Sequence, residues 1–157
     1  MASEGQTASD LCLEAAEKLL KELGWEKEDV DCLLFVSHSP DYRYPATACI
    51  LQGKLGLSQE CMSFDISLGC SGWVYGLTVA GSLVTSGKFK KALLLTGDVT
   101  TSSKSKKDRT TYPLFGDAGS AVDSGSDSPG GVSWSGMPEC TSLTLSRFEM
   151  YPGNTRI

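Results

Sequence analysis

The sequence predicts an α/β fold, a mostly parallel sheet layered with helices, one of which is buried inside the molecule. Three observations predict it. Helical and strand segments alternate through the first 122 residues, the pattern of crossover units. The first strand segment is a continuous apolar run, as strands covered on both faces are. The stretch from Ile66 to Gly87 carries no charge, so a helix within it needs protein on all sides.

The elements follow in order. TASDLCLEAAEKLLKELG, residues 7–24, is an amphipathic helix: Leu11, Ala15, Leu19 and Leu23 recur every four residues, with Ala16 and Leu20 beside them. Thr7 and Asp10 have capping-box spacing, and Gly24 suits the stop. VDCLLFVS is the first strand. PATACILQGKLG is the second helix, with Pro45 in its first turn and Gly56 at its end. CMSFDIS is the second strand, Cys70 to Gly87 the third helix, KKALLLTGD the third strand and LFGDAGSAV the fourth. The uncharged third helix is too rich in Gly, Ser and Thr to be a membrane span. Gly72, Gly76 and Gly81 instead permit close backbone approach, at a cost in helix propensity.

From Asp123 the pattern changes. DSGSDSPGGVSWSGMPECTS is read as a loop, and LTLSRFEMY as one further strand. The predicted division is a half-domain at 1–122 and an atypical Ser/Gly/Pro-rich tail at 123–157, with Asp123 interrupting the fourth strand.

At 157 residues the chain has the size of one domain, and 40% apolar with 21% charged residues is ordinary for a soluble globular protein. A net charge of −5 argues against nucleic acid as partner. The basic cluster KSKKDR, 104–109, reads as a local loop. The six cysteines show no CxxC pair and no Cys/His ligand spacing, so no metal is expected. Several lie in apolar runs, DCLLFV and ATACILQ among them, as buried small hydrophobes of a reducing compartment do. No signal peptide is visible, and the cytoplasm is the expected location.

Cys70, in ISLGCSGWVYGL, differs from the others. It falls where a strand gives way to a helix, between glycines. A free thiol has a pKa near about 8.5, and the thiolate is the nucleophile. Unpaired N–H groups at a helix start favour the anion and can stabilise an oxyanion. The plainer alternative is a cysteine that only fills space. A hydrolase elbow needs Gly-x-Cys-x-Gly, and Leu68 breaks it. The single histidine, His38, reads as a polar residue at a strand end.

FDISLGCSGWVYGL, then SGKFKKALLLTGD, then DRTTYPLFGDAGSAV resemble 3-oxoacyl-(acyl-carrier-protein) synthase III, of the thiolase superfamily. TASDLCLEAAEKLLKELG and SPDYRYPATACILQGKLGL fit the same family, so the resemblance runs from about Gln6 to Val122. It implies the N-terminal half of a thiolase-like layered fold, with the buried helix starting at the nucleophile. It implies that Cys70 is acylated by an acyl-CoA primer and that malonyl-(acyl carrier protein) then condenses with the acyl-cysteine, initiating fatty-acid synthesis. Coenzyme A thioester and carrier protein are substrates, no cofactor is required, and the family is homodimeric. Arg109 matches an arginine that contacts the coenzyme A nucleotide. Tyr44 matches an aromatic reaching the partner subunit's acyl pocket, and Phe115 an aromatic beside the nucleophile. The family's His and Asn partners belong to a second half beyond this segment, and an earlier strand with a Trp- and Arg-bearing segment precedes it. A frame change or artificial junction would account for the tail. The alternatives are a hydroxymethylglutaryl-CoA synthase-like or polyketide-type condensing enzyme, or a folded fragment without catalysis.

Overall fold

The computed structural model describes residues 2–105, 107–110, 112–125, 131–132, 143–144 and 148–152. Cys140 and most of the tail lie outside them. The order is α1 (Ala8–Leu23), β1 (Cys32–Val36), α2 (Thr47–Leu55), β2 (Met62–Ile66), α3 (Gly72–Thr85), β3 (Lys91–Val99) and β4 (Asp117–Gly125). The short strands β5 (Gly131–Val132) and β6 (Leu143–Thr144) pair with each other, and β7 (Phe148–Pro152) follows. The main sheet runs β2-β1-β3-β4-β7. β1 lies parallel to β2 and β3; β4 is antiparallel to both its neighbours, so four of the five strands share one direction.

The caps of α1 are those the spacing predicts. The Thr7 hydroxyl accepts from the Asp10 N–H, the Asp10 carboxylate accepts from the Thr7 N–H, and Gly24 closes the helix at φ 64°. α1 and α2 cover one sheet face, where Leu11, Leu19, Leu51 and Leu55 meet Leu33, Phe35, Leu93 and Leu95. Each such side chain contributes about 1.5–3 kcal/mol when fully buried. The other face carries Leu34, Val36, Leu94 and Val122 beneath α3. β1 is buried along its whole length, as its unbroken apolar run requires.

Several expectations are corrected. Pro45 lies before α2 in a cis peptide with Tyr44. The N-cap is Ala46, which has no capping side chain, and Asp65 of β2 takes its place: its carboxylate accepts from the N–H groups of Thr47 and Ala48, both at 2.7 Å. Cys49 is exposed, because α2 turns Thr47, Ala48, Leu51 and Leu55 inward and leaves Cys49 on the opposite side. β4 runs through Asp123 to Gly125 because β3 continues opposite it, pairing Asp123 with Leu93 and Gly125 with Lys91. The predicted single strand at 143–151 is two, β6 and β7, which pair with different partners.

α3 starts at Gly72 and buries Gly72, Gly76, Ala80 and Gly81. A Cβ on Gly72 would stand 2.6 Å from Val36 Cγ1, and one on Gly76 2.8 Å from Leu94 Cδ1, so the helix backbone lies directly on the sheet. The cover is one-sided, however. Val74 and Tyr75 on the far side are exposed, since the described residues supply only one large sheet. Among the described residues, no helix is long and apolar enough to cross a membrane.

Candidate active site

Parallel strands collect their carboxyl ends on one edge, where α/β proteins place ligands. Here β1, β2 and β3 end together. β2 leaves the sheet at Ile66, and Leu68 N–H donates back to the Ile66 carbonyl. Gly72 N–H donates to the Gly69 carbonyl at 2.7 Å, closing the turn around Cys70. Ser71 is the N-cap and places no side-chain hydrogen bond on the first turn. Cys70 thus precedes the N-cap instead of lying within the first turn. It is solvent-exposed at the positive end of α3.

An open cleft of about 670 Å³ surrounds the thiol, and Trp73, Phe115, Lys104, His38 and Asp98 help to line it. Phe115 is 47% exposed, with the Lys104 ammonium 5.4 Å from its ring centroid. The structure therefore brings Cys70 and Phe115 together. It does not bring Tyr44 or Arg109 to the cleft lining. Tyr44 stands out on the loop after β1 at 92% exposure, and Arg109 is exposed in the loop before β4.

Sequence reasoning missed His38, Thr96, Asp98 and Ser120 as lining residues. The signal for Asp98 was available: a carboxylate ending an apolar strand, at the sheet edge where ligands bind. Its Oδ1 accepts from Ser37 Oγ, the His38 N–H, and both the N–H and Oγ of Ser39, at 2.8–3.0 Å. Ser120 Oγ donates to the Thr96 carbonyl, and Thr96 Oγ1 is a buried polar atom with no hydrogen-bond partner among the described residues. A second groove, about 750 Å³, lies against residues 2–8 and holds no cysteine, histidine, lysine or arginine. It is the larger of the two but holds no thiol and no histidine to activate a hydroxyl, so the chemistry is read at Cys70.

Three of the other described thiols are set apart from Cys70 by burial. Burial pushes Cys12 and Cys32 up to about 12, and pushes Cys61 upward as well. Among the described residues, no group of His, Cys, Asp and Glu side chains could hold a metal ion.

A cysteine at the turn from strand into a glycine-striped helix, on a layered sheet of this topology, defines a thiolase-like fold. The comparisons are more particular. Residues 64–133 match the family described as 3-oxoacyl-(acyl-carrier-protein (ACP)) synthase III. The beta-ketoacyl-(acyl-carrier-protein) synthase III of Koribacter versatilis is 41% identical over 122 residues, 78% of this chain and 36% of that protein. The protein of the same name from Chlamydia caviae is 39% identical, across 84% of this chain and 39% of its own length. The crystal structure of the 3-oxoacyl-(acyl-carrier protein) synthase from Burkholderia xenovorans superposes with a TM-score of 0.72 at 40% identity, covering 80% of this chain and 40% of that one. By sequence and fold the chain is similar to members of the 3-oxoacyl-(acyl-carrier-protein) synthase III family, and it spans well under half the length of these relatives.

Proposed function

We propose that Cys70 is the acyl-accepting nucleophile of a 3-oxoacyl-(acyl-carrier-protein) synthase III, an acyltransferase that begins fatty-acid synthesis. The observation that carries this is the exposed thiol at the start of α3, inside a cleft wide enough for a thioester, within the segment that matches the family.

The Cys70 thiolate attacks the carbonyl carbon of an acyl-CoA. The carbon–sulfur bond to coenzyme A breaks, and its sulfur leaves with the electron pair and is protonated. The acyl-cysteine then meets malonyl-(acyl carrier protein), which loses carbon dioxide. The resulting carbanion attacks the thioester carbonyl and returns Cys70 as thiolate. Stabilising that carbanion is the task of the family's His and Asn. Phe115 and Trp73 border the acyl group. Arg109 contacts the coenzyme A nucleotide, Tyr44 reaches a second subunit of a cytoplasmic homodimer, and no cofactor takes part.

The test is intact mass after incubation with acetyl-, butyryl- and octanoyl-CoA, with Cys70→Ala as control. An acyl adduct that disappears in Cys70→Ala supports the reading. A chain that folds but takes no acyl group from any of the three, while a full-length member of the family does, supports the second reading of a folded chain without catalysis. The open far face of α3 is what favours that second reading.

A further inference from the structure

Asp98 ends the apolar run of β3, where a carboxylate is costly unless hydrogen bonds hold it. Four donors do so, and all four fall on one oxygen. Oδ1 receives Ser37 Oγ at 3.0 Å, the His38 N–H at 2.8 Å, and the N–H and Oγ of Ser39 at 2.9 Å. The network closes on the same strand, since the Val99 N–H donates to Ser39 Oγ at 3.0 Å. This is more than the loop needs for its own turn, which Ser39 N–H to Ser37 Oγ already fastens. The segment held this way bears His38 and leads on to Tyr44, and His38 lines the same cleft as Cys70.

We infer that Asp98 is a positioning residue of the thiol cleft: its Oδ1 fixes residues 37–39 and so holds His38, the one of the three that lines the cleft, as a rigid wall that sets how a thioester is held against Cys70. The inference rests on the proposed acylation of Cys70. Asp98 acts through the loop and moves no proton. A charge-assisted acceptor shared by four donors is stiff, and reacting groups misplaced by a fraction of an ångström lose much of their rate. Because the donors crowd one oxygen, an amide can accept them with its own oxygen and turn its NH2 away. Asp98→Asn should therefore keep the wall, and Asp98→Ala should release it.

The experiment follows the rate of Cys70 acylation by acetyl-CoA against thioester concentration, for the wild-type chain, Asp98→Asn and Asp98→Ala. Cys70 alkylation by iodoacetamide is measured in parallel by peptide mapping. Alkylation needs only an accessible thiol, so a cleft wall does not govern it. The expected result is a saturating acylation rate lowered about tenfold or more in Asp98→Ala, within about threefold of wild type in Asp98→Asn, and an unchanged alkylation rate in both. An Asp98→Ala curve that overlays the wild type overturns the inference while the acylation stands. A wild-type chain that takes no acyl group overturns both. If Asp98→Ala fails to fold, Ser39→Ala, which removes one donor and the acceptor of the Val99 N–H, must show the same direction of shift. An unchanged curve there overturns the inference equally.

Discussion

Cys12, Cys32 and Cys61 have the same side chain as Cys70 in a different environment. Burial pushes the first two up to about 12, so both remain thiols at pH 8. Cys49 and Cys70 are exposed. Brief iodoacetamide treatment at pH 8 should label Cys49 and Cys70 and spare the other three until the chain is unfolded, as read by peptide mapping. Early labelling of Cys12 would mean that α1 does not pack on β4 as described. Asp117 is the charged counterpart. Burial would raise its pKa, but the hydroxyl and N–H of Thr101 and the N–H of Ala2 outweigh that and hold the carboxyl below its usual value. A depressed carboxylate contributes stability that is complete above the unfolded value, about 3.9, and lost as pH falls through the lower folded value. Asp117→Asn should cost about 1–3 kcal/mol at pH 7. The difference from wild type should narrow only below about pH 4, as urea midpoints from pH 7 to 3 will show. A constant difference across that range would detach the effect from the carboxylate's charge.

At the scale of elements, two kinds of contact fix the layers, and the sequence exposed only one of them. Glycines spaced along α3 announced a backbone lying on the sheet. The matching device on the other face is Gly97 and Gly119, and nothing in the helical periodicity announced it. A Cβ on Gly119 would stand 2.6 Å from the backbone N of Cys12 and the backbone C of Leu11, atoms that cannot step aside. A Cβ on Gly76 meets side-chain methyls of Leu94 and Val36 at 2.8 and 2.9 Å, and alanine regains about 1 kcal/mol of helix propensity there. Gly119→Ala should therefore cost about 3 kcal/mol or more, Gly76→Ala about 1–2, and Gly69→Ala, with nothing within 4 Å, close to none. Equal urea midpoints for Gly119→Ala and Gly69→Ala would refute the contact. The cap of α2 is illegible for a related reason. Its acceptor, Asp65, is 17 residues from Ala48 and adjacent only through the sheet. Asp65→Ala should destabilise by about 1–2 kcal/mol, the loss of a helix cap.

For the molecule as a whole, α3 is where sequence and structure part company, and the reason is physical. An uncharged run from Ile66 to Gly87 calls for protein on both sides of the helix. The described residues cover one side, in a chain that spans 36–41% of the length of its curated relatives. The alternation of elements made the sheet and its covering helices legible. The far cover of α3 was not legible, because among the described residues no element packs on the side that bears Val74 and Tyr75. This separates the two faces of one helix experimentally. On the sheet side, Leu94 is fully packed, and Leu94→Glu should unfold the chain by burying an unpaired carboxylate. On the far side, Val74 is 42% exposed and Val74→Glu, a charge in the middle of an apolar run, should change the urea midpoint by no more than about 0.5 kcal/mol. It should also weaken binding of an environment-sensitive apolar dye, because an open face bearing Val74, Tyr75 and Trp73 is the kind of patch such dyes occupy. A loss above about 3 kcal/mol in Val74→Glu would mean that the far face is already covered in this chain, and the helix would then be internal as its composition first suggested.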